Sequence, residues 1–292
     1  MVCETRPSVQ WAPTAVLLRV PCQDVKRPDV VAVCFAACVA LCFAAILTTS
    51  VTRSAPVFAE QRQTLVPSAV VVLDPGHNGA NASHTREINR LVDAGGFKKA
   101  CNTVGTQTTA GYAEAAFNWD LAVLVAARLE NAGHRVALTR KGNTGVGPCI
   151  DERAAIANRA GASLLLSIHA DGGPASGHGF HVIEPVLVKG YTDDIVVPSQ
   201  RLAAIMIAAM TNGGFTPSTY AGQNGRSLRK DLGTLNRSDV PAVMVEVGNM
   251  RNAGDAEILS TAAGRIRLAD ALAAGVERFL ADQPGQRPAP KV

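Results

Sequence analysis

The chain of 292 residues lacks a dominant charge: 28 basic and 24 acidic side chains leave a formal net charge of +4, and the signs are mixed along the sequence. A nucleic-acid binder should show a basic patch or stripe, so that partner class is excluded. Charged residues are scarce at 18% against 47% hydrophobic, which excludes wholesale disorder. No compact metal motif such as H-E-x-x-H occurs, so a metal site would have to be assembled from distant segments. No repeat or appended module stands out, and at roughly 100–200 residues per domain the length allows one or two domains. Cysteine nearly disappears after residue 60: of seven in the chain, only Cys101 and Cys149 lie beyond it.

One long apolar run is present, residues 30–47, and it explains part of the mean hydropathy of +0.13. Lys26 and Arg27 precede it, and Thr48, Thr49 and Ser50 follow. A basic flank, an apolar stretch and a small-residue exit describe a secretory signal. Val57-Phe58-Ala59 fits the cleavage pattern, placing cleavage after Ala59. The run is also just long enough to span a bilayer, so an uncleaved anchor is the alternative. The expected organisation is a leader over 1–59, a linker over 60–67, one folded domain over 68–282 and a disordered Pro-rich tail over 283–292. An exported protein touching the membrane only through its signal segment follows. Cys34, Cys38 and Cys42 would leave with the run, and neither Cys38 nor Cys42 suits lipid attachment. The two remaining cysteines suggest one disulfide, with two unrelated free thiols as the plainer reading.

From residue 68 onward apolar strands alternate with helical stretches. Strands are expected at 70–73, 135–138, 163–168, 179–184 (an edge strand) and 242–247. Helices are expected at 113–131, 151–160 with Asp151 as cap, 200–210 and 262–280. The Asn-, Gly- and Thr-rich segment 78–111 reads as a long irregular loop, and such loops are often functional. The alternation indicates an α/β domain: one mixed, mostly parallel sheet flanked by helices on both faces.

In such sheets ligands bind outside the carboxyl ends of the strands. The first strand runs into Asp74-Pro75-Gly76-His77, the third into His169-Ala170-Asp171 and the last into Glu246-Val247-Gly248-Asn249, while Glu114 opens the helix after the long loop. Two His and one Glu with an open fourth position form a catalytic zinc set. Zinc lowers the pKa of a coordinated water to about 7. A further carboxylate, Glu246, can then serve as general base and later as acid. Each residue also has a plainer role: His77 as a hydrogen-bonded structural side chain, Asp74 in a turn, Glu114 favouring a helix N-terminus, Glu246 pairing with an Arg.

Leu73-Asp74-Pro75-Gly76-His77 resembles the first zinc-ligand motif of the zinc-dependent N-acetylmuramoyl-L-alanine amidases of the type 3 class. Glu114 with Asn118 four residues on resembles the second motif, and Ser167-Ile168-His169-Ala170-Asp171 the third. Val245-Glu246-Val247-Gly248 with Asn252 resembles the segment bearing the catalytic glutamate, and Arg153, Ala157 and Asn158 match a further pattern. The resemblance covers roughly residues 68–282. It implies one zinc ion held by His77, Glu114 and His169, and Glu246 as acid/base. The implied reaction cuts the amide between the lactyl group of N-acetylmuramic acid and L-alanine, in peptidoglycan or muropeptides. The export signal places the protein in the periplasm, in the cell wall or outside the cell, and nothing in the sequence argues against a monomer.

Two positions depart from the family pattern: Asn78 replaces a common second Gly, and Asn249 an aromatic residue. Both, with Asp171, are candidate substrate contacts. A Cys101–Cys149 disulfide would pin the long loop beside the groove, as in the small stand-alone amidases of high-GC Gram-positive bacteria. His178 and His181 lie near the third ligand, while His84 and His134 read as bystanders. A zinc peptidase or deacetylase on a similar scaffold, and a non-enzymatic wall-binding regulator, are the competing readings.

Overall fold

The computed structural model describes residues 68–283. The leader with its apolar run, the linker over 60–67 and all of the tail except Gln283 lie outside the described residues. Within them, no helix is long and apolar enough to cross a membrane.

In chain order the elements are β1 (Val70–Pro75), a 3-10 turn (Asn81–Ser83), α1 (Thr85–Ile88), β2 (Leu91–Asp93), β3 (Lys98–Ala100), α2 (Glu114–Asn131), β4 (Arg135–Leu138) and α3 (Ile150–Arg159). There follow β5 (Leu164–Asp171), β6 (His181–Pro185), α4 (Val196–Asn212), β7 (Arg226–Arg229), α5 (Gly233–Asn236), β8 (Ala242–Asn249), α6 (Ala253–Ser260) and α7 (Ala262–Ala281). Six strands form one sheet in the order β4-β1-β5-β8-β6-β7, and β2 and β3 form a separate hairpin. All neighbours in the large sheet run parallel except β6 against β8. The architecture is the expected mixed, mostly parallel α/β sheet.

The central strands are apolar on both faces, as a sheet covered on both sides requires. Val71, Leu73, Leu164, Leu166, Val243 and Val245 pack with α2, α4 and α7, while Val72, Leu165, Ala242 and Met244 pack with Ala157 of α3 and Leu235 of α5. Side chains alternate along a strand. The second set is therefore continued toward the carboxyl ends by Asp74 on β1, Ser167, His169 and Asp171 on β5, and Glu246 on β8. One sheet face is thus oily at its base and chemically active at its rim.

Four expectations are corrected. Segment 78–111 is not wholly irregular: it contains the 3-10 turn, α1 and the β2–β3 hairpin. The fourth strand is not an edge; β6 lies between β8 and β7, and the edge is the polar β7. Cys149 rather than Asp151 precedes α3, so Asp151 lies in the first helical turn. Finally, β5 and β8 run further than expected, to Asp171 through His169 and to Asn249 rather than to Ile168 and Val247.

Candidate metal centre and active site

At the end of β1 the chain turns through Gly76 into His77. His77 has φ of 58°, a left-handed conformation uncommon for a residue with a side chain. Two bonds hold it there: Arg153 Nη2 donates to the His77 carbonyl at 2.7 Å, and the His77 ring Nδ1 donates to the Thr103 carbonyl at 2.9 Å. With Nδ1 engaged, Nε2 is the nitrogen that faces Glu114, 3.1 Å from its Oε1. Gly76 lacks a Cβ for a specific reason, since one placed there would overlap the His169 imidazole.

Glu114 is the first residue of α2 and is buried. Its Oε2 accepts the Thr106 N–H at 3.0 Å. Oε1 lies 3.0 Å from His169 Nδ1 and accepts from Asn118 Nδ2 at 3.3 Å. Asn118 is one helical turn along, the spacing that puts two side chains on the same helix face. It also donates to the Gly76 carbonyl at 3.2 Å, tying the second ligand segment to the first. Burial pushes the Glu114 carboxyl up, but His77 and His169 outweigh it and hold the group well below the usual carboxylate range. His77 Nε2, Glu114 Oε1 and His169 Nδ1 therefore offer two nitrogens and an ionised oxygen, all within 4.8 Å of one another. That donor set fits zinc, and the hydrogen-bonded second nitrogen of His77 is the arrangement that metal-binding histidines favour.

Below this cluster lies a buried ion pair. Arg153 Nη1 donates to Asp74 Oδ1 at 2.6 Å, and Thr139 and Ser167 hydroxyls donate to the same carboxylate at 2.6 and 2.7 Å. Burial raises the pKa of Asp74, but Arg153 and the two hydroxyls outweigh it and leave the net value lowered. Arg140 completes the floor, donating to the carbonyls of Pro75 at 2.9 Å and Ala115 at 2.6 Å. Burial brings its pKa down to about 10.

His77, Glu114, His169, Asp171 and Glu246 line one cleft of about 370 Å³. Its size is that of a small-ligand site. Glu246 stands beside His169 in the β5–β8 register, and its Oε2 is sealed from solvent with no hydrogen-bond partner. Burial, then the negative charges of Glu114 and Asp171, raise its pKa well above the ordinary carboxylate value; Arg229 opposes them.

Two candidate contacts lie elsewhere. Asn249 is fully buried, and its amide donates to the Pro174 and Gly177 carbonyls at 2.8 Å each while its oxygen accepts from Arg251 N–H. Asn78 is also buried, receiving a bond from Arg153 at 2.7 Å and donating to Asn81 Oδ1 at 3.2 Å. Both side chains bond within the protein, and neither lines the cleft of His77, Glu114 and His169. Cys101 and Cys149 are joined by a disulfide. Among the histidines set aside, His134 is buried under β1 and accepts the Ala69 N–H at 3.2 Å. His181 lies directly across from Glu246 in the β6–β8 register, with its ring edge on Tyr220. The sequence offered no signal for Thr103 or Arg140: one acts through its main chain, and the other resembles any strand-end arginine.

The chain is similar to known proteins in both sequence and fold. The family model described as N-acetylmuramoyl-L-alanine amidase matches residues 71–278. The N-acetylmuramoyl-L-alanine amidase Rv3717 of Mycobacterium tuberculosis is 42% identical over 221 residues, covering 75% of this chain and 89% of that relative. The crystal structure of the amidase Ami1 from Mycobacterium smegmatis superposes with a TM-score of 0.70 at 41% identity, covering 74% of this chain and 98% of that one. Ami1 from Mycobacterium abscessus gives 0.69 at 42% identity, covering 73% and 98%. On the family match and on relatives that share both sequence and fold, the chain belongs to the N-acetylmuramoyl-L-alanine amidase family.

Proposed function

We propose that this chain is a zinc amidase of peptidoglycan. It hydrolyses the amide between the lactyl group of N-acetylmuramic acid and the L-alanine of the stem peptide, with His77, Glu114 and His169 holding the metal. The observation that carries the reading is the convergence of those three ligand atoms in the cleft where Glu246 keeps an unpartnered carboxylate oxygen. Zinc, when bound there, polarises the scissile carbonyl and makes a water nucleophilic at neutral pH. The rest falls to the protein. Glu246 accepts the proton of the attacking water and delivers it to the departing amine of L-alanine. Its raised pKa suits a group that must hold that proton between the two events. Asp171, at the cleft edge, is the remaining candidate for a substrate contact.

The leader's basic flank and apolar run support export, which brings the catalytic domain over 68–282 to its wall substrate. The test is mass spectrometry of a muramyl peptide incubated with the enzyme, beside Glu246→Gln and a chelator-treated sample. Release of the intact stem peptide with L-alanine at its N-terminus is expected. It should fall about 10²–10⁴-fold in the variant and disappear without metal. Cleavage within the peptide would make the protein a peptidase, and no cleavage by zinc-loaded wild type would point to a binding role.

A further inference from the structure

Asn78 is an oddity of the sequence that the reaction does not use. Its side chain begins a chain of hydrogen bonds that ends on a metal ligand. Arg153 Nη2 donates to Asn78 Oδ1, which leaves the Asn78 amide to donate to Asn81 Oδ1 at 3.2 Å. That contact fixes which way the Asn81 amide points. Asn81 Nδ2 then donates to the Thr103 carbonyl at 2.7 Å, and the same carbonyl accepts His77 Nδ1 at 2.9 Å. Asn81 is itself fully buried. The far side of Thr103 is held as firmly. Its N–H donates to Asn102 Oδ1 at 2.8 Å, and Asn102 follows Cys101, which is bonded to Cys149 at the start of α3. The Cys101 carbonyl accepts the Ile150 N–H at 2.9 Å.

We infer that the Asn78–Asn81 pair and the Cys101–Cys149 disulfide are positioning elements for His77: together they hold the Thr103 carbonyl where it fixes the imidazole's rotation and tautomer. The inference rests on the metal reading above. A histidine ligand bound through Nε2 needs its Nδ1 proton directed at a fixed acceptor, and loss of such an outer partner typically costs metal affinity 10–100-fold. Here the acceptor is a loop carbonyl, which has no secondary-structure ladder to hold it. It needs brackets on both sides, and a glycine at position 78 would remove the first link of one. His77 needs the help because its left-handed backbone is itself strained.

The experiment measures zinc affinity by chelator competition, and the visible spectrum of the cobalt-loaded protein, on folded samples. The proteins are wild type, Asn81→Ala, Asn78→Gly, the double variant Cys101→Ser/Cys149→Ser, His77→Ala, and Thr261→Ala. Thr261 caps α7 through a bond to the Gly264 N–H, far from His77 in sequence and outside the cleft lining. Its loss tests for a general effect of lower stability. Asn81→Ala and Asn78→Gly should bind zinc about 10–100-fold more weakly with a shifted cobalt spectrum, and the double cysteine variant should follow them. Thr261→Ala should bind as wild type does. Asn81→Ala within threefold of wild type, or Thr261→Ala losing as much, would overturn the inference and leave the metal site standing. Wild type no better than His77→Ala would overturn the metal site itself.

Discussion

At the scale of single residues, the site depends on where bulk is missing as much as on where ligands are present. Gly76 passes so close to the His169 ring that a methyl group there has no room. Gly76→Ala is therefore expected to displace His169, lowering zinc affinity and turnover together by at least tenfold. Titration with zinc would show it, and an unchanged affinity would mean that the imidazole has slack. Asp74 makes a different argument. It and Arg153 are both about 2% exposed, so neither charge can be left alone. Asp74→Asn strands a buried guanidinium and should cost about 3–5 kcal/mol in a denaturant melt. The sign of the pH effect follows from the lowered pKa. In the unfolded chain Asp titrates near 3.9, so the carboxylate contributes its full stability above that pH. The contribution is lost as pH falls from there through the folded-state value. Wild type should lose stability below about pH 4, and Asp74→Asn should show a shallower loss over that window.

At the scale of elements, the β2–β3 hairpin is the piece with least support of its own, since a two-stranded hairpin is marginal in water. It is fastened to the segment around α5. Asn236 Nδ2 donates to the Ala94 carbonyl at 2.9 Å, Lys99 Nζ to the Asp231 carbonyl at 2.7 Å, and Arg237 Nη1 sits 3.1 Å from Asp93. Asn236→Ala removes the buried bond of the three. It should raise amide hydrogen exchange across residues 91–100 while leaving β1, β5 and β8 protected; equal exchange in both proteins would mean that the disulfide alone suffices. The same hairpin shows what a sequence conceals. β1, β5 and β8 were legible because a strand covered on both faces must be apolar throughout, and their polar ends marked the site. β2 and β3 are three residues each, and β7 is mostly exposed Arg-Ser-Leu-Arg, so none carries an apolar signature. With β7 unseen, β6 looked like an edge. The candidate site followed the same division. His77, Glu114, His169 and Glu246 could be picked out because their side chains carry the chemistry. Asn78 and Asn249 were harder to place, because an amide buried and bonded within the protein looks, in sequence, like an exposed one.

At the scale of the molecule, the described residues 68–283 carry three hydrophobic clusters, and Cys101 and Cys149 belong to the smallest of them. The largest cluster runs from Ala69 beside β1 to Leu280 in α7, so the first strand and the last helix share one core and neither can detach without opening it. A fragment of residues 68–283 should therefore unfold in a single cooperative transition and retain the zinc affinity and muramyl-peptide turnover of the full chain. The disulfide closes a span of 48 residues. Chain entropy assigns such a loop a stabilisation between about 3 and 4.7 kcal/mol. For a domain of this size that is a fall in Tm on the order of 10 °C on reduction. Calorimetry of the fragment with and without a dithiol reductant checks both points. One transition that moves down on reduction is the expected result. Two transitions, or a fragment that folds without binding zinc, would mean that residues before 68 complete the domain. An unmoved Tm would mean that the 78–111 loop is already ordered by its hydrogen bonds before the cysteines join.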